Sequence, residues 1–424
     1  MLIHTVRSGE TLYSIAARYG VDPTLLRLDN GIYPSTSLAV GQTLVIQKVD
    51  TFHIVQSGDT LTSIANRYGI SLRSLYRNNY WLGGQPTITT GQHLVIAYNG
   101  NRLGKISTNG YAYPFISPSE LSSTLPYMSN LTPFTYGLNA RGGLLPLNDE
   151  MLLSEAKRLG SRALMHLSSL TEDDTFSSQR ASDLLANERQ QLVLIEEIVS
   201  TMERKGYRGL DVDFEFIPAE RREDYIQFIQ HLHNRLSLLD FPVLVALAPK
   251  TYAAQPGLLY EAHDYAGLSA AADFVLLMTY EWGYRYSAPM AVAPLPNVRR
   301  VVEYALTEMP PEKIFLGIPN YGYDWPLPFI QGETQARSIS NQEAVSLAVR
   351  YGAEIQFDSS AQSPFFRYTD ANGIAHEVWF EDARSISAKL YLIHEYHLYG
   401  AGYWNLMRPY PQGWVLLNAL YEMD

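Results

Sequence analysis

Asp211, Asp213 and Glu215 alternate with Leu210, Val212 and Phe214 just after Gly209. A period of two is the strand period, so the three acids share one face and the apolar residues the other. On a half-buried strand, three acids facing water would repel one another without return. In a strand buried on both faces, the acids point into a closed barrel. At a rise of ~3.3 Å per residue, successive carboxylates lie only about 6–7 Å apart. They cannot all ionise without cost, so at least one pKa rises. A carboxylic acid still protonated near neutrality is what a glycosidase needs to protonate a leaving oxygen. The alternative is a strand whose acids are ion-paired structural groups.

Alternating apolar strands and helical segments from about residue 98 onward position this strand as the fourth of eight. The expected strands are 110–115, 130–136, 162–167, 209–214, 242–248, 274–279, 314–319 and 400–405, with helices such as 188–205 and 221–239 between them. Eight strands in about 300 residues fit an α/β TIM barrel, whose chemistry collects at the C-terminal strand ends. The stretch of about 324–384 is too long for one crossover and contains strand-like pieces at 354–358, 365–369 and 375–380. It reads as a small α+β insertion between strands 7 and 8.

The first hundred residues contain a repeat. Val6-Arg7-Ser8-Gly9-Glu10-Thr11-Leu12 recurs as Val55-Gln56-Ser57-Gly58-Asp59-Thr60-Leu61, and Asn30 recurs as Asn79. Each unit predicts a strand, a helix ended by Gly20 or Gly69, a second short helix and a closing strand, a βααβ module. The division is 1–48, 50–97 and 98–424, with a polar linker over 97–105.

Composition narrows the partners. The net charge of −11 argues against nucleic acid and anionic membranes, which need Lys and Arg. With zero Cys, disulfides, zinc thiolate sites and cysteine nucleophiles are excluded. The 30 Tyr and 6 Trp lean toward sugars, which use flat aromatic faces. The opening residues show no cationic segment followed by an apolar run, so no signal peptide is expected, and no 18-residue apolar run suggests a membrane span. His394-Glu395-Tyr396-His397 is not the H-E-x-x-H zinc pattern. No metal and no cofactor are expected, and the chain is expected to be a monomer.

The segment Arg208–Glu215 resembles the D-G-x-D-x-D-x-E signature of the family 18 glycoside hydrolases, with Arg208 in place of the first Asp. The resemblance extends to other strand ends. Met278-Thr279-Tyr280-Glu281-Trp282 is similar to the family's M-x-Y-D, with Glu281 replacing Asp. The seventh strand ends in Asn320-Tyr321, and Trp404 on the eighth matches the family's floor of the −1 sugar site. Trp404, Glu281, Trp282, Asn320 and Tyr321 are thus candidate substrate contacts. The resemblance implies that Glu215 is the acid and then the base. It implies that the sugar's own 2-acetamido oxygen attacks C1. Asp213 would stabilise the resulting oxazolinium, Tyr280 would hold the acetamide and Asp211 would share a proton with Asp213. The repeats resemble LysM domains, which bind N-acetylglucosamine chains. This implies grooves at Gly9, Thr11, Leu12, Asn30, Gly31 and Ile32, and at Gly58, Thr60, Leu61, Asn79 and Tyr80.

Two LysM units followed by such a barrel resemble the cortex-lytic N-acetylglucosaminidases of bacterial spores, also known as spore germination proteins. This implies peptidoglycan as partner, cortex fragments as substrate, and a spore coat or cortex location reached from the mother-cell cytoplasm. Two alternatives stand beside it: a chitinase or chitooligosaccharide hydrolase with the same site, and a non-catalytic lectin-like binder.

Overall fold

Eight parallel strands close into a barrel around the acidic segment. In chain order they are β1 (Gly104–Ala112), β2 (Asn130–Pro133), β3 (Arg162–Ala163 continuing as Met165–Ser168), β4 (Leu210–Asp213), β5 (Val243–Leu247), β6 (Phe274–Leu277), β7 (Ile314–Pro319) and β8 (Gly400–Trp404). This is a computed structural model, and it describes residues 1–32, 37–173 and 175–424. β3 is interrupted only at Leu164, whose N–H still donates to Leu131 of β2, while Met165 N–H donates to Gly209 beside β4. The strand therefore bridges β2 and β4 and completes the ring, the TIM barrel expected.

The strand order follows from burial on both faces. On β4, Leu210, Val212 and Phe214 are fully buried against the outer helices. Phe214 stacks on Tyr225 and Phe228 of helix Arg222–Leu236, at 5.9 and 5.7 Å between ring centres. Asp211 and Asp213 take the inner face and are buried as well.

β1 departs from expectation. It runs over Gly104–Ala112, not 110–115, so the linker shrinks to 99–103. The sequence concealed this because Ser107, Thr108 and Asn109 are polar, yet all three are buried. Thr108 Oγ1 donates to the Tyr127 carbonyl at 2.7 Å, and Thr132 donates to Asn109 at 2.8 Å. Such bonds offset part of the penalty for burying a polar strand end, although Ser107 Oγ and Asn109 Nδ2 find no partner among the described residues.

Between β7 and β8 an antiparallel five-stranded sheet forms the insertion. It comprises Gly322–Pro326, Arg337–Ile339, Gln356–Asp358, Ser363–Thr369 and Ala375–Trp379, with helix Asn341–Tyr351 packed on it. Each N-terminal module pairs two antiparallel strands, Leu2–Thr5 with Thr43–Ile46 and Val49–Ile54 with His93–Tyr98, across two short helices. Thr11 and Thr60 cap the first helix of each in a reciprocal box with Ser14 and Ser63.

Both modules lie against the barrel domain. Gly31 packs on Pro411 and Gln342, and Gln412 donates to Asn30 Oδ1 and the Thr43 carbonyl at 2.9 and 2.7 Å. In the second module the Arg73 guanidinium donates to the carbonyls of Gly160 (2.9 Å) and Met128 (2.6 Å), among others.

Candidate active site

The residues of β4 and its neighbours meet at the C-terminal mouth of the barrel, around a cavity of about 240 Å³. Asp213, Glu215, Tyr280, Glu281 and Trp404 line it, together with Tyr113, Phe134, Phe176, Tyr260 and Met278. Asp211 lies deeper, below the wall residues, where Tyr111 of β1 donates to its Oδ2 at 2.6 Å.

Burial pushes the Asp211 carboxyl up to about 7, against the Tyr111 hydrogen bond, which lowers it. Asp213 is held well above the usual carboxylate range by burial, then by the charges of Glu215 and Asp211. Glu215 is pushed up to about 7 by burial and by the Glu281 carboxylate. Three acids so placed hold fewer than three charges at neutrality and share their protons as a set. Among the described residues no cation offsets them. His166 Nε2 stands 3.8 Å from Asp213 Oδ2, too far for a hydrogen bond, and burial lowers its pKa to about 3, so the ring is neutral. Thr135 Oγ1 lies 2.6 Å from the other ring nitrogen and fixes the ring's orientation.

Glu215 stands just past the end of β4, on a turn held from behind. Ala248 N–H donates to His263 Nδ1 at 2.9 Å, so Nε2 carries the proton and donates to the Phe214 carbonyl at 3.0 Å. Burial keeps His263 neutral, with a pKa near 4.

Tyr280 is set by a close approach of β6 and β7. Thr279 Oγ1 donates to the Gly317 carbonyl at 2.7 Å. A Cβ on Gly317 would fall 2.3 Å from the Leu277 carbonyl and 2.9 Å from the Tyr280 ring, so only glycine fits. Trp404 is wedged among Phe134, Tyr111 and Tyr113, with ring centres 5.0, 5.6 and 6.1 Å away. Glu281 accepts hydrogen bonds from Tyr321 and, at 3.1 Å, from Tyr323, the latter supplied by the insertion.

The remaining expected contacts are placed differently. Asn320 is buried and donates to the carbonyls of Asn405 and Arg408, both at 3.1 Å. Its amide thus ties β7 to the β8 loop and does not line the cavity. Trp282 is not among the cavity walls either. Tyr321 reaches the site only through Glu281. Conversely, Tyr111, Tyr113, Phe134, His166 and Phe176 escaped the sequence reading. Four of these lie at the ends of β1 to β3, where position alone was a signal.

In the modules, Gly9, Thr11, Gly58 and Thr60 are exposed, and Leu12 is half-buried. Leu61 and Ile32 belong to module cores. Asn30 and Asn79 are committed inward: Asn79 donates to Leu75 and Val95 carbonyls, both at 2.8 Å, and accepts from Val95 N–H at 2.7 Å. Asn30 makes the equivalent bonds to Leu26 and Val45. Gly31 faces the barrel domain, and the Tyr80 ring lies 6.3 Å from that of Tyr127.

The family model described as Glycosyl hydrolases family 18 matches residues 164–408, and the LysM domain model matches 4–47 and 53–97. The chain is 40% identical to the "Cortical fragment-lytic enzyme" of Bacillus subtilis (strain 168), over 100% of this chain and 99% of that one. It is 36% identical to the "Cortical fragment-lytic enzyme" of Bacillus anthracis, over 98% of this chain and 97% of that one. Its fold superposes on the crystal structure of the Bacillus cereus spore cortex-lytic enzyme SleL with a TM-score of 0.84. That pair is 35% identical, covering 100% of this chain and 98% of that one.

Proposed function

From the premise that this chain belongs to the family 18 glycosyl hydrolases and carries two LysM domains, we propose that it is a peptidoglycan-binding N-acetylglucosaminidase. Its substrate would be spore cortex fragments, cut at the β-1,4 bond after N-acetylglucosamine with retention. The observation that carries the reading is the carboxyl set of one strand, with Asp213 and half-buried Glu215 beside Tyr280 and Trp404 at the barrel mouth and Asp211 buried beneath them. The curated relatives named for cortical fragments match over nearly the whole chain, which supports cortex over chitin.

In this reading Glu215, still protonated near neutrality, gives its proton to the glycosidic oxygen. Among the described residues, the only carboxylate lining the cavity from another strand end is Glu281, already bonded by two phenols, so the sugar's acetamide oxygen serves as the nucleophile. Asp213 accepts the acetamide N–H and stabilises the positive ring. The proton Asp213 needs to pass on goes to Asp211, whose phenol partner Tyr111 keeps it able to receive one. Tyr280 donates to the acetamide oxygen, and Trp404 floors the sugar. Glu215 then takes the proton of the attacking water.

The boundaries 1–48, 50–97 and 98–424, a role in sporulation or germination and a monomeric state complete the proposal. No described helix is long and apolar enough to cross a membrane.

The test is digestion of purified spore cortex and vegetative peptidoglycan, with mass spectrometry of the new reducing ends. N-acetylglucosamine ends are expected, and Glu215→Gln should lower their rate by about 10²–10⁴-fold, as loss of a general acid does. New ends at muramic acid would overturn the substrate-assisted reading. Retained wall binding without any product would favour a lectin-like protein.

A further inference from the structure

A cleft of about 730 Å³ lies between the two LysM modules, about three times the volume at the barrel mouth (240 Å³). Its walls come from the junction of the first module's helices (20–25), the segment joining the modules (47–52) and the second module's closing strand (92–99). None of Gly9, Thr11, Leu12, Gly58, Thr60 or Leu61 borders it, so it is separate from the exposed module loops. The volume falls in the range that encloses a small ligand.

The lining has a specific chemistry. Phe52 is 53% exposed, an unusual position for a large apolar ring, and it lies parallel to the His93 ring at 5.5 Å. Trp81, half-buried, borders the same space. Tyr98 donates to both oxygens of Asp29, at 3.3 and 3.2 Å, and so bridges the modules at the cleft wall. Burial pushes Asp29 up to about 7, which leaves that wall largely uncharged below neutrality. Gln47 borders the cleft with only 8% of its surface exposed, and its side-chain amide has no hydrogen-bond partner among the described residues. The amide is not among the sealed, unpaired polar groups of the interior, so it is open to a partner that enters the cleft.

Flat rings beside an unpaired planar amide and a hydroxyl–carboxyl pair match a molecule with C–H faces and a hydroxyl or acetamido rim. A purely apolar partner would leave Gln47 and the Tyr98–Asp29 pair without a polar match. We propose that this inter-module cleft is a saccharide-binding site for a short, uncharged, N-acetylated glycan segment, stacked on Phe52 and Trp81 and hydrogen-bonded by Gln47. The site adds a contact beyond the barrel and the two module loops for one glycan strand, and raises the local concentration of substrate near the barrel. It rests on the reading that the enzyme acts on N-acetylated glycan.

The experiment is hydrogen–deuterium exchange on the full-length Glu215→Gln protein with N-acetylchitotetraose. Peptides spanning 210–217 and 278–282 report the barrel, those spanning 8–14 and 57–63 report the module loops, and those spanning 47–52 and 93–99 report the cleft. Added sugar is expected to slow exchange in the cleft peptides at least several-fold. Phe52→Ala, at an exposed position that folding tolerates, is expected to abolish that slowing and leave the barrel peptides protected. Cleft exchange that does not respond to sugar overturns the site whatever the barrel does, and so does protection that survives Phe52→Ala. Barrel peptides that fail to respond while the cleft does would count against the catalytic reading alone.

Discussion

In the proposed mechanism Glu215 works through where its proton lies between pH 5 and 8. Burial and the Glu281 carboxylate raise its pKa to about 7, so the acid form is present at neutrality and lost above it. Turnover on soluble chitooligosaccharide should hold up to about pH 7 and fall roughly tenfold per unit beyond it, measured as kcat/KM. Stability has a related dependence. A carboxyl whose pKa is raised on folding stabilises the native state fully below its unfolded value, ordinarily near 4, and loses that contribution as pH rises through the folded value. For Asp211 that window is about 4 to 7. Asp211→Asn keeps an acceptor for Tyr111 and removes the titration. Denaturant titrations at pH 5 and pH 8 should therefore show the variant gaining on the wild type as pH rises.

At the scale of elements, glycines and amides decide which groups meet. Gly317 lets β7 pass close beneath the end of β6, so Gly317→Ala has no room without moving Tyr280 or the Leu277 carbonyl. Overpacking of this kind costs about 1–3 kcal/mol. The expected signature is a lowered denaturation midpoint together with a fall in kcat, because the displaced ring is the one proposed to hold the acetamide. Asn79 holds its module's second helix to the closing strand through three buried bonds. Asn79→Ala leaves those backbone groups unpaired, with an expected loss on the order of 2–4 kcal/mol. A loss of sugar binding with unchanged stability would instead mark Asn79 as a groove residue.

At the scale of the whole molecule, the LysM modules are bound to the catalytic domain. Arg73 reaches from the second module to five carbonyls, those of Leu125, Pro126, Met128, Gly160 and Asp424. Gly160 ends the helix Glu150–Leu159, where a cation complements the carbonyl end of the helix. Calorimetry should show one unfolding transition for the wild type. Arg73→Ala is expected to resolve a separate, earlier transition for the modules, with the barrel's melting unchanged.

The family, the barrel, the module repeat and the acids Asp211, Asp213 and Glu215 were legible in the sequence, because each rests on local periodicity or a fixed spacing along one chain segment. A strand buried on both faces must place its acids inward, and a helix ended by Gly20 or Gly69 needs no distant partner. What the sequence did not contain was which residues from different strands converge. Tyr111, His166 and Phe134 reach the site only because β1, β2 and β3 are its neighbours in the closed sheet. Asn320 carries a plausible contact residue type at the right strand end, yet its amide goes to the β8 loop because that loop closes over it. The polar start of β1 was hidden because Tyr127, Ser129 and Thr132, far along the chain, supply its hydrogen bonds. Asn30 and Asn79 are repeated in register and Gly31 follows the first of them, but repetition cannot tell a groove residue from one that pins a fold or faces another domain. Spacing along a chain determines one face of one element; which faces meet depends on packing, and packing belongs to the tertiary structure alone.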